Sequence, residues 1–130
     1  MKSPANIPSA RAAARQSAAT QAAIDGVFRA LADPTRRDVL ERLSAKPTSM
    51  SDLAAPYRMA LPSFLEHMKM LEGCGLVRSE KKGRVRTYAL APEKFKVAED
   101  WLGKQRRLWE RRLDQLDAYL LELHKKGDAE

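Results

Sequence analysis

Residues 58–88 hold seven basic side chains, Arg58, Lys69, Arg78, Lys81, Lys82, Arg84 and Arg86, against three acidic ones, Glu66, Glu72 and Glu80, a net charge of +4. Four of the basics fall within residues 81–86, a run with no acid. Cations at this density can neutralise a phosphate backbone. Just upstream, residues 61–74 read as a helix with Pro62 near its start and Gly73 and Gly75 at its exit. With Phe64 at the centre of its buried face, Met68 and Leu71 join it. Pro62, Ser63, Glu66, Lys69 and Met70 then fall on the opposite side, with Leu65 and His67 on the flanks. Each exposed residue has a chemical reading and a structural one. Ser63 can meet a base edge or simply cap the helix. Glu66 can accept from a cytosine amino group or form part of a solvated face. Lys69 can neutralise a phosphate. His67 reads as a packing or phosphate residue rather than a metal ligand.

The elements that must position these groups follow from punctuation and periodicity. Residues 76–80 and 85–90 flank Gly83 and read as a β-hairpin, with Val85 and Tyr88 favouring strand. Alternation sends Arg84 and Arg86 to one face. A helix followed at once by a hairpin with a basic tip is the layout of a winged helix-turn-helix, with a helix for the DNA major groove and a charged wing beside it. Further upstream, Ile24, Val27, Phe28 and Leu31 form an apolar helical face. Asp33-Pro34 starts a second helix carrying Val39, Leu40 and Leu43, and Lys46-Pro47 ends it. Ser49 or Ser51 caps a short third helix with Leu53, Ala54 and Tyr57, and residues 58–60 form the turn.

The expected class is mainly α with a small β-hairpin, a winged helix-turn-helix with a long C-terminal dimerisation helix. Its organisation is a disordered tail over residues 1–16, a DNA-binding domain over 17–91, and a helix with a short tail over 92–130. Trp109, Leu113, Leu116, Leu120 and Leu123 recur in steps of four and three, a heptad-like seam suited to a second copy. The seam is favoured over simple packing against the first helix, and a ligand pocket beside Trp101, Trp109 and Tyr119 is the weaker reading.

The bulk composition narrows the function. A 130-residue chain with 44% hydrophobic residues can build one core, and a net charge of +7 suits a polyanionic partner. The lone Cys74 excludes an internal disulfide and suits a reducing compartment, so a cytoplasmic location is expected. No apolar run approaches the roughly 18 residues of a membrane span. Arg11 and Arg15 interrupt any secretory pattern. No phosphate loop, glycine-rich dinucleotide turn or spaced nucleophile–base pair is present, so no catalytic residue and no enzyme is expected. With two histidines and one cysteine, no cluster offers three or four metal ligands, and neither a metal nor another cofactor is expected.

A family resemblance adds to this reading. The segment Ala30-Leu31-Ala32-Asp33-Pro34-Thr35-Arg36-Arg37, followed by Val39-Leu40, resembles the opening of ArsR-type winged-helix regulators. So do Ser51-Asp52-Leu53-Ala54, Leu61-Pro62-Ser63, His67-Met68-Lys69-Met70-Leu71-Glu72, Gly75-Leu76-Val77, and Gly83-Arg84 with Tyr88 and Leu90. The resemblance covers residues 27–90. It implies a homodimeric transcriptional repressor that binds an imperfect palindrome in double-stranded DNA, in a family of which many members release DNA on binding a small-molecule inducer. By residue it implies Ser63, Glu66, His67 and Lys69 at the DNA with Lys81, Lys82, Arg84 and Arg86 of the wing. It also implies dimerisation through the terminal helices. Two departures matter. Leu65 stands where the family often has a small polar residue, which suggests a different operator. Ser49-Met50-Ser51 stands where metal-sensing members have Cys-x-Cys, and hydroxyls are poor ligands for soft metals. Leu65 and Met70, apolar near the groove face, support the alternative of a winged-helix protein–protein interaction module.

Overall fold

Capping decides where the helices begin. The computed structural model describes residues 9–128. Helix α1 (Ala10–Leu31) starts at Ser9, whose Oγ accepts from the Ala12 amide at 3.2 Å. Helix α2 (Pro34–Ala45) starts at Asp33, whose carboxylate accepts from the Arg36 amide at 3.0 Å, with Pro34 where its missing N–H costs nothing. The disordered tail expected over 1–16 is corrected in part. Residues 10–16 are helical because the Ser9 cap feeds an alanine-rich run of high helix propensity, and residues 1–8 lie outside the described residues.

The described chain divides into two compact units, one ending at Ala98 and the other beginning at Glu99. In the first unit, strand β1 (Thr48–Ser49) leads into α3 (Met50–Ala54), where the Ser49 hydroxyl accepts from the Asp52 amide at 3.3 Å. Helix α4 (Leu61–Gly73) follows, then β2 (Val77–Lys82), β3 (Val85–Leu90) and α5, which runs over Glu93–Asp128. The antiparallel sheet has the order β1-β3-β2, with Thr48 opposite Tyr88 and Ser79 also opposite Tyr88. Strand β1 was not expected. Two residues are too few to show an alternating pattern, and only the pairing to β3 defines them.

Phe64, Met68 and Leu71 of α4 are buried, as the periodicity predicts, and pack with Val27, Val39, Leu43, Leu53, Leu76 and Tyr88. Gly75 takes φ +80° at the exit of α4, and an added Cβ there would stand 2.9 Å from the Lys94 Cγ. Gly83 takes φ +61° in the hairpin turn, where its lack of a side chain lets Lys82 pair with Val85. Gly26 brings α1 against the end of α4, since an added Cβ would lie 3.3 Å from the Cys74 Cβ. The second unit is the remainder of α5, a single helix to Asp128.

Burial pushes the Asp33 carboxyl up, but the Arg36 and Thr35 amides and the charges of His67 and Arg36 outweigh it and hold the group below its ordinary 3.8. A depressed carboxyl stabilises the fold fully above its unfolded value and loses that contribution as pH falls through the folded one. Asp33→Ala should therefore cost about 1 kcal/mol at pH 7. In urea titrations the deficit should narrow as pH falls below the ordinary carboxylate range. A deficit that does not vary with pH would contradict this.

Candidate nucleic-acid interface

The turn before α4 is held by half-buried contacts rather than by its own sequence. Tyr57 stacks on Phe64 with ring centroids 5.4 Å apart, and its hydroxyl donates to the Asp38 carboxylate. Arg42 lies over the Tyr57 ring at 5.6 Å and donates to the Leu53 and Asp52 carbonyls, each at 2.8 Å. These bonds satisfy carbonyls at the end of α3, which has too few turns to satisfy them itself. Burial and the Asp38 hydrogen bond raise the Tyr57 phenol above its ordinary value, with Arg42 opposing.

A second arginine seats α4 itself. Arg36 donates through Nε to the Ala30 carbonyl, through Nη2 to the Arg29 carbonyl and through Nη1 to the His67 Nδ1, each at 2.9 Å. Arg37 adds a bond to the Leu31 carbonyl at 2.6 Å. Consecutive arginines thus cap the last carbonyls of α1. Because a guanidinium only donates, this bond belongs to the neutral ring, with Nδ1 accepting and the proton on Nε2, whereas the charge that lowers Asp33 belongs to the protonated ring. The Asp33 carboxylate stands 3.8 Å from the same Nδ1. His67, expected at the DNA, is half-buried and engaged inside this unit. Sequence reasoning had no signal for the Arg36 partner, 31 residues away.

The other expected contact residues divide between two faces. Ser63, Glu66 and Lys69 are exposed on α4, and Lys69 pairs with Glu66 at 3.5 Å, a solvated pair of little net strength. A cleft of about 590 Å³ opens between α4 and the wing, and Leu65, Lys69, Glu72, Lys81, Arg84 and Arg86 help line it. The register places Lys81 directly opposite Arg86, so both share the face of Ser79 and Tyr88. Lys82 alternates to the other face with Glu80 and does not line the cleft. Arg86 donates to the Ser79 hydroxyl at 2.8 Å, and that hydroxyl donates to the Glu72 carboxylate at 2.6 Å. Neither Ser79 nor Glu72 stood out in the sequence as part of the site. Burial and the Glu72 charge raise the Tyr88 phenol, with Arg86 opposing.

In the second unit, Trp109, Leu113, Leu116, Leu120 and Leu123 are 47–61% exposed along one helix. The Arg106–Glu110 and His124–Asp128 pairs, at 3.8 and 3.3 Å, also lie along it. Among the described residues, no group of three or more His, Cys, Asp or Glu is placed to hold a metal ion. No described helix is long and apolar enough to cross a membrane.

Comparison with known proteins bears on this arrangement. A family model described as a helix-turn-helix domain matches residues 31–80. A crystal structure of the ArsR family transcriptional regulator RHA00566 is 52% identical, covers 69% of this chain and 93% of its own, and superposes with a TM-score of 0.67. The transcriptional repressor SdpR of Bacillus subtilis is 27% identical over 79 residues, 61% of this chain and 88% of that protein. The homodimeric winged helix-turn-helix DNA-binding domain Mb0332 of Mycobacterium bovis shares the fold at 23% identity, with a TM-score of 0.57 over 81% of this chain and 94% of its own.

The seat of α4 is testable. His67→Ala should destabilise the protein by about 1.5–3 kcal/mol, because it strands an arginine donor. His67→Gln, whose amide oxygen can accept from Arg36, should lose less than half of that. Equal losses in urea denaturation would contradict the bond.

Proposed function

This chain belongs to the ArsR family of transcriptional regulators, and from that premise we propose that it is a homodimeric, sequence-specific repressor. The observation that carries the reading is the single cleft that gathers Lys69, Lys81, Arg84 and Arg86 between the exposed face of α4 and the wing. In this reading α4 enters the major groove, where Ser63 and Glu66 meet base edges and Lys69 opens its pair with Glu66 to meet a phosphate. The wing, including Lys82 on its outer face, follows the backbone. His67 contributes by seating α4 through Arg36. Leu65, half-buried at the cleft, offers apolar contact to a thymine methyl.

The partner copy is assigned to the α5 seam. Burying an exposed leucine side chain contributes about 1.5–3 kcal/mol, so five apolar residues on one stripe favour a paired helix. The homodimeric state of Mb0332 supports a paired state, though not a particular helix. A two-fold dimer presents recognition helices about 34 Å apart, which calls for an imperfect palindrome. SdpR, a repressor, supports repression as the outcome. We assign no metal effector, since Ser49 spends its hydroxyl capping α3 and Ser51 is likewise no soft-metal ligand. A small-molecule inducer is the proposed route of release, and a cytoplasmic location follows from the DNA partner.

Fluorescence anisotropy against a duplex carrying the chain's own upstream region, with a scrambled control, tests the reading across a salt series. Four phosphate contacts from each of two copies give a log–log slope of about −7, and binding should favour the upstream duplex. Lys81→Ala and Arg84→Ala should weaken binding to every sequence and each reduce the slope by about two, one contact from each copy. Ser63→Ala and Glu66→Ala should change the preference among sequences. Equal weak binding to both duplexes would contradict sequence-specific recognition at this region, and salt-insensitive binding would favour the protein-interaction reading. Separately, Leu113→Glu with Leu120→Glu should convert a dimer to a monomer in sedimentation. A dimer that survives both changes would overturn the seam.

A further inference from the structure

We propose that Glu72 and Ser79 are positioning residues for DNA binding, a hydrogen-bonded relay that holds the Arg86 guanidinium ready at the cleft. The proposal rests on the reading of that cleft as a phosphate-binding surface. The three residues come from three elements: Glu72 from the last turn of α4, Ser79 from β2 and Arg86 from β3. The Ser79 hydroxyl has one proton, which it gives to the Glu72 Oε1 at 2.6 Å, and its oxygen accepts from the Arg86 Nη1 at 2.8 Å. Both neighbours therefore fix the orientation of the hydroxyl, and the chain of bonds is polarised in one direction. Ser79 opposes Tyr88 and Lys81 opposes Arg86, so Ser79 and Arg86 sit diagonally on one face of the hairpin, within reach of a long side chain.

Charge alone would argue against Glu72. It is the one acidic residue among the described residues that line the cleft, where Lys69, Lys81, Arg84 and Arg86 supply the cations. An isolated carboxylate there would repel phosphate. Its hydrogen bond to Ser79 supplies the compensating gain, because a free arginine has rotamer entropy that binding must remove. A guanidinium already held loses less on meeting its phosphate. The relay also ties the end of the recognition helix to both wing strands, so that α4 and the wing meet the duplex as one surface.

Binding of the full chain to the upstream duplex and to a mixed-sequence duplex of equal length, by anisotropy across a salt series, separates the accounts. Ser79→Ala changes no charge. It should weaken binding to both duplexes about five- to tenfold and reduce the log–log salt slope by about two, the signature of one lost phosphate contact in each copy. Ser79→Thr, which keeps the hydroxyl, should restore both. Glu72→Ala removes a negative charge yet should also weaken binding, while Glu72→Gln, which keeps an acceptor oxygen, should remain near the parent value. Tighter binding by Glu72→Ala would overturn the relay. So would a weaker Ser79→Ala variant with an unchanged slope, since that marks a merely structural role. Arg86→Ala distinguishes the two levels. If it alters neither affinity nor slope, the placement of Arg86 at a phosphate fails. If it alters both while Ser79→Ala and Glu72→Ala are silent, only the relay fails.

Discussion

The guanidinium of Arg36 is the constraint on which the DNA-binding unit turns. A helix end leaves carbonyls without partners, and α1 ends against the start of α2 with no glycine to close it. Arg36 answers two of those carbonyls and spends its remaining arm on His67 of α4. Its own amide is held by Asp33, the cap of its helix. One residue thus links the end of α1, the start of α2 and the middle of α4. The bonds are charge-assisted and short, so they define direction as well as distance. The apolar core beneath, with Phe64, Met68 and Leu71 facing Val39 and Leu43, supplies the bulk of the burial but is less particular about angle.

Arginine recurs as the fastening elsewhere in this unit. Arg42 closes the end of α3 and clasps Tyr57, which in turn stacks on the first buried residue of α4. Arg86 is tied through Ser79 to the last turn of α4. The helix proposed to read DNA is therefore fixed at its start, middle and end by three different arginines. Part of the chain's positive charge is thus structural. The net charge of +7 overstates what is free to meet a polyanion, and the contrast lies between Arg36 or Arg42, spent on carbonyls, and Lys81 or Arg84, exposed at the wing.

The sequence made the elements legible where a single residue type has a single mechanical use. Asp33-Pro34 marked α2, and the spacing of Phe64, Met68 and Leu71 marked the inner face of α4. Gly83 marked the hairpin, and the order of these pieces carried the family. It was less informative where the cause is local but weak, or lies far along the chain. Ser9 is one of several serines near the start, and nothing singled it out as the cap of α1. Strand β1 is defined by a partner some 40 residues away, beyond any periodicity. Lys82 looked equivalent to Lys81 in a basic run, and only the register with Val85 turned it to the other face. His67 read as a packing or phosphate residue on a helix flank, with no partner legible, because an arginine cap in another helix has no sequence signature.

In this reading the exposed face of α4 and the wing form one DNA-binding surface while the Arg36–His67 seat stays closed. It is tested most directly by nuclear magnetic resonance of isotope-labelled protein titrated with the upstream duplex, following backbone amides and the His67 ring nitrogens together. The largest shifts should fall at Ser63, Glu66 and Lys69 and across residues 81–86. The His67 ring should keep its Nε2 proton and an accepting Nδ1 throughout. Shifts confined to α5, or a His67 ring that changes its tautomer as DNA is added, would contradict it.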